Sequence, residues 1–177
     1  IMDWYYDSKR MAADLMVVFE DLRYIAPIRE RIPRYGIMET MPYSELGPSG
    51  QNLMRVLSSS EILGTKQKPI LIELNYWLGS KFKLLRNVHV ENVDTGGTIR
   101  NLVGDERKGM NNLNLASMGF GISQLVPVIV HVVLLPESGC LLVEQPEIHL
   151  HPSAQADLAD LFIENIKPGR QFIIETH

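Results

Sequence analysis

The run Cys140-Leu141-Leu142-Val143-Glu144-Gln145-Pro146-Glu147 decides how this chain is read. Four apolar residues without a polar interruption, followed at once by acidic ones, are the pattern of a strand buried in a parallel sheet. Carboxylates at the C-terminal end of such a strand stand at the sheet edge where α/β proteins bind ligands. Downstream, residues 153–166 put Leu158, Leu161, Phe162 and Ile166 on one helical face, and Pro168-Gly169 ends that helix. Residues 171–174 are apolar again and form a second strand. Strand, helix and strand at this spacing predict a βαβ unit with parallel strands.

Just upstream, residues 136–139 read as a turn and 122–135 as an apolar helix. Its run from Leu125 to Leu135 holds Pro127 and His131 and falls short of the roughly 20 residues a bilayer span needs. Ahead of the helix lies Ser117-Met118-Gly119-Phe120-Gly121-Ile122-Ser123-Gln124. A serine and two glycines before a helix can aim a hydroxyl and free backbone N–H groups at a phosphate, and the same residues also make an ordinary N-cap. At the other end, Ile173-Ile174-Glu175-Thr176-His177 sets a histidine at a strand terminus. It can hydrogen-bond a phosphate or an attacking water, or simply close the strand with a polar residue.

The first 114 residues are less orderly. Asp7 and Ser8 can cap a helix running to about Arg23, with Met11, Leu15, Val18 and Leu22 spaced by three and four. Four prolines and three glycines across residues 27–52 predict an irregular connection. Helices follow at 50–59 and 69–78, the second with Ile70, Leu71, Leu74, Trp77 and Leu78 as a core stripe. Residues 87–93 and 98–103, joined through Asp94-Thr95-Gly96-Gly97, predict a β-hairpin, and 104–114 a loop. Arg23, Arg29, Arg31 and Arg34 make a local basic cluster, which we read as a solvated loop face. A division follows: a helical and hairpin portion over 1–114 and an α/β portion over 115–177.

Three segments, in this order and at these gaps, resemble a known arrangement. Residues 117–124, then 141–147, then 175–177 look like the signature motif, Walker B motif and switch-histidine loop of ABC-type ATPase heads. The Glu144 to Pro152 run, EQPEIHLHP, resembles the AAA/ABC-like ATPases of the OLD (overcoming lysogenization defect) and related prokaryotic families. Tyr24-Ile25-Ala26-Pro27-Ile28-Arg29 also looks like a segment of such proteins. The resemblance implies an α/β fold, the C-lobe of a P-loop NTPase head with parallel strands, flanking helices and a helical and hairpin N-terminal portion. It implies ATP and Mg2+ as cofactors and a homodimer around the nucleotide. Ser117, Gly119, Gly121 and Gln124 then belong to the nucleotide-binding set, with Ser117 and Gly119 facing the γ-phosphate held by a second subunit. Glu144 takes the Mg2+-associated position, Gln145 and Glu147 join it in the catalytic set, and His177 is the switch histidine. His149 and His151 fall at the dimer seam.

Two departures shape the expectation. No G-x-x-x-x-G-K-[ST] occurs in the 177 residues, so the phosphate cradle is expected upstream of Ile1 and the isolated segment is expected to be inactive. Gln145 stands where these ATPases carry a catalytic glutamate, and an amide orients water without accepting its proton. Slow, switch-like turnover follows, in DNA maintenance or phage defence with an effector protein or nuclease as partner. The alternative is a non-catalytic interaction module that keeps the ATPase architecture; a third reading is a metal-dependent hydrolase using Glu144, Glu147, His149 and His151.

Composition bounds these readings. A 45% hydrophobic content supports an ordinary core, which argues against disorder. A net charge of −4 offers no global field for DNA or an anionic membrane. Cys140 is the only cysteine, so no internal disulfide forms, and a cytoplasmic location is expected.

Overall fold

The computed structural model describes residues 10–11, 21–37, 43–60, 70–93, 99–104 and 113–177. Two sheets share one hydrophobic core. The first holds β1 (Leu22–Ile25), β6 (Cys140–Glu144) and β7 (Gln171–Glu175), with β6 in the middle. Both pairings are parallel: Leu22 stands opposite Cys140, and Glu144 opposite Glu175. The second sheet is antiparallel. It pairs β3 (Val88–Asn92) with β4 (Ile99–Gly104) and adds the two-residue strands β2 (Gly36–Ile37) and β5 (Leu113–Asn114), both on β4. The hairpin expected from residues 87–103 is therefore present, while its connecting turn lies outside the described residues. Leu113–Asn114 pairs as a strand where a loop was expected.

Among the described residues, the α-helices α1 (Leu53–Ser60), α2 (Ile70–Asn75), α3 (Phe120–Leu134) and α4 (Pro152–Asn165) pack around these sheets. From Tyr76 to Lys81, α2 continues as a π-helical turn, which keeps Trp77 and Leu78 buried beside Ile70 and Leu74. The predicted stripe is thus a core face. The βαβ unit also forms as expected, with α4 joining the parallel strands β6 and β7.

The N-terminal helix expected to run to about Arg23 does not reach it: residues 22–25 are β1, and most of the preceding stretch lies outside the described residues. Four residues are too few to show a strand period against a helical one. What makes them a strand is β6, whose edge carbonyls and N–H groups need a partner.

The centre of the molecule is α3. Ten consecutive residues, Ser123 to Val132, are buried, so the helix is enclosed on all sides rather than amphipathic. Pro127 interrupts its ladder mid-length. The ring is accommodated by Gly50, at φ +76°, where an added Cβ would stand 2.9 Å from the proline ring carbons. Residues from both sides of position 115, such as Leu57, Leu74, Leu125 and Val143, meet in this one core.

His131 is the ionisable group that α3 carries into the core. Its Nε2 lies 3.1 Å from the Gly47 carbonyl. Burial above all, then the charges of Arg23 and Arg29, pushes its pKa down to about 4, against the opposing pull of the Gly47 hydrogen bond. The ring is neutral in the fold, whereas an unfolded histidine titrates near 6.5. The unfolded chain thus takes up a proton that the folded chain refuses. Stability is fully present above about pH 6.5 and falls as the pH drops toward 4, by about 2 kcal/mol at pH 5. Thermal melts between pH 7 and pH 5 should show this loss in the wild type, and His131→Gln should flatten the difference.

Candidate functional site

The acidic turn begins where β6 ends. Glu144 closes the strand beside Glu175 of β7. Gln145 has φ +44° and His149 φ +63°, left-handed values that cost a non-glycine residue about 1–2 kcal/mol each. The Gln145 N–H donates to the Glu175 carbonyl at 2.8 Å, and its own carbonyl accepts from Ile148 N–H at 3.2 Å, which folds the chain back. Glu147 is thereby brought across to the end of β7. Its Oε1 accepts from the Thr176 hydroxyl at 2.8 Å and from the His177 backbone N–H at 3.3 Å. The His177 ring stands 4.0 Å from Glu175. Burial pushes the Glu147 carboxyl up, but hydrogen bonds from its own backbone, Thr176 and the His177 backbone outweigh that, and the net direction is down. Its other oxygen, Oε2, is buried and accepts nothing among the described residues.

A second group of predicted residues lies at the start of α3. Ser117 ends a single 3-10 turn, Leu115–Ser117, which the Asn114 side chain caps by accepting from Ala116 N–H. Ser117 is exposed, and its hydroxyl accepts from Arg34 at 3.1 Å. Gly119 is the N-cap of α3 and faces open space: an added Cβ would meet nothing within 4 Å. Gly121 is different, because a Cβ there would stand 2.9 Å from the His149 carbonyl. The helix start therefore packs against the loop that follows the acidic turn. Phe120 seals this contact, with the His149 ring edge-on at 4.8 Å and the Arg31 guanidinium 5.3 Å from its centroid. Gln124, one turn in, is buried, and its amide is taken by the backbone of Arg29, accepting at 3.2 Å and donating at 3.0 Å.

Arg29 corrects the sequence reading most. Read as part of a solvated basic face, it is instead 1% exposed. Its guanidinium donates to the Glu144 carbonyl at 2.7 Å and to the Gln145 carbonyl through both terminal nitrogens at 3.3 Å. Burial lowers its pKa to about 10, partly offset by the negative charge of Glu147, so it stays protonated at neutral pH. Arg31 and Arg34 do face solvent, yet each is engaged with the start of α3. Tyr24 is a further residue that sequence reasoning left without a role. Its hydroxyl is pushed up by burial, by a hydrogen bond to Glu144 and by the charges of Glu144 and Glu175.

The donor set suits a partial Mg2+ site rather than a protein-built cage. Mg2+ is held through one or two carboxylates plus phosphate oxygens. Glu144 and Glu175, opposite each other at the ends of β6 and β7, are the carboxylates at this strand edge that could supply that share. Among the described residues no trio of His, Cys, Asp or Glu converges on a metal. The histidines suggested for a hydrolase are engaged elsewhere: His149 stacks on Phe120, and His151 caps α4 by accepting from Ser153 N–H. The two glycines at the start of α3 should separate in thermal denaturation. Gly121→Ala must displace a backbone carbonyl and should cost about 1–3 kcal/mol, while Gly119→Ala should leave the melting temperature within a degree or so.

A search of the curated proteins found no match. Among solved structures, an SmcHead bound to the C-winged helix domain of ScpA is similar at 15% identity with a TM-score of 0.48. That likeness covers 75% of this chain and 39% of the other, so the chain spans well under half of that protein's length. Among the described residues no helix is long and apolar enough to cross a membrane. Residues 36–177 match the AAA ATPase domain family, and with most of its length inside that match the chain belongs to that family of ATPases.

Proposed function

We propose that this chain is the C-terminal portion of an ABC-type ATPase head that closes as a dimer around nucleotide, with residues 115–177 as its C-lobe. The observation that carries the reading is the Glu147 carboxylate tied to both Thr176 and His177. It joins the turn read as Walker B to the strand end read as the switch loop. ATP with Mg2+ supplies the phosphate chemistry when bound. Glu144 serves the metal, beside Glu175 and Tyr24. Glu147, kept ionised by its hydrogen bonds to Thr176 and His177, would accept the proton of an attacking water. Gln145 orients that water without taking its proton, and His177 stands beside both. Ser117 and the open N-terminus at Gly119 act on the nucleotide of a second copy, where the helix dipole favours an anion. Gly121 and Gln124 support this edge through packing and hydrogen bonds.

The amide at Gln145 makes this a slow switch, with turnover well below the enzyme median of about 10 s−1. The setting in DNA maintenance or phage defence, with an effector protein or nuclease responding to the switch, rests on the sequence resemblance to the OLD-like families. A second reading, a protein-interaction module with the same architecture, is favoured by Gln145.

In the full-length protein, Ser117→Arg should abolish ATP-dependent dimerisation in sedimentation velocity while leaving the monomer's melting temperature unchanged. Normal dimerisation by that variant would sink the trans role of Ser117. Glu147→Gln should lower ATP turnover at least tenfold. Rapid hydrolysis that survives the change would remove both the slow switch and the role of Glu147, and a wild type that neither binds nor hydrolyses ATP would favour the interaction module.

A further inference from the structure

Arg29 touches both halves of the candidate site with different ends of the same residue. The guanidinium donates to two successive carbonyls of the acidic turn, Glu144 and Gln145. The backbone N–H and C=O are taken by the Gln124 amide, one turn into α3. We propose that Arg29 is a positioning residue that makes the acidic turn and the start of α3 move as one body.

Three features support it. Arg29 and Gln124 are each only 1% exposed, so water cannot replace the bonds between them. Displacing the turn must drag α3 with it or leave buried polar groups unpaired, and the second course is costly. Gln145 keeps a left-handed backbone that needs outside support. That support comes from Arg29 on its carbonyl and Glu175 on its N–H. The guanidinium also presents several donors in one rigid plane, which a lysine ammonium does not. The catalytic consequence rests on the function proposed above. The acid that serves one nucleotide and the Ser117–Gly119 edge that serves the other become linked within a single chain, so a change at one half-site is felt at the other.

Two experiments test the link. In 1H–15N NMR of the 177-residue chain, Glu147→Gln should shift the amides of Thr176 and His177 and also those of Gly119, Ser123 and Gln124. In an Arg29→Lys background the first pair should still move and the α3 group should not. In the full-length protein, Arg29→Lys should lower kcat for ATP tenfold or more with KM changed less than twofold. Adding Gln124→Met should then cost no more, because both changes cut one connection. Transmission that survives Arg29→Lys, or kcat losses that multiply in the double variant, would overturn the proposal. If Arg29→Lys loses spectral dispersion, Gln124→Met cuts the same link from the helix side and replaces it in both experiments. A wild-type protein without ATPase activity would sink the functional reading alone, and the NMR result would still decide the link.

Discussion

A charged guanidinium buried among backbone carbonyls is the constraint on which the site depends. Arg29 sits between β1 and the end of β6 with no carboxylate hydrogen-bonded to it among the described residues, and its charge is met by the Glu144 and Gln145 carbonyl dipoles. Such an arrangement survives desolvation only when the donors are met by well-placed acceptors. One donor, Nε, is left without a partner among the described residues. The fold therefore holds an expensive group in a geometry with little slack. The chain leaving β1 must pass where the guanidinium can reach the turn, and the turn must present two carbonyls toward it.

The long helix α3 answers a different demand. Its middle is enclosed on every side and anchors the core, while its first residues stay at the surface. Burial of ten consecutive residues fixes the axis, so the position of Gly119 follows from packing far from it. Gly121 then lets the helix start approach the His149 carbonyl closely enough for Phe120 and His149 to stack. A rigid helix with one open end can hold backbone N–H groups in place without the local loop having to be stiff.

Opposed environments also sort the ionisable groups. His131 is driven toward neutrality because desolvation acts on a group with one carbonyl partner. Glu147 is held as a carboxylate because donors from the neighbouring strand outweigh the same desolvation. Burial has one sign of effect on each charged form, and the partners decide the result.

Periodicity along the chain was enough for the elements whose partners are near in sequence. The hairpin, the core stripe from Ile70 to Leu78, and the strand–helix–strand unit from Cys140 onward all repeat at the spacing of their own geometry. The residues that make up the candidate site were legible for the same reason, because Glu144, Glu147 and His177 sit at the ends of such elements. What periodicity could not show was pairing across long separations. Leu22–Ile25 reads as the end of a helix until β6 is beside it, and Arg29 reads as a surface residue until its contact, 116 positions away, removes it from water. Tyr24 and Gln124 acquire their roles in the same way. Local preference carries a few tenths of a kcal/mol per residue. Burial of a polar group against a distant partner carries several times that, and so the long-range contacts, which no window of sequence contains, set the geometry of the site.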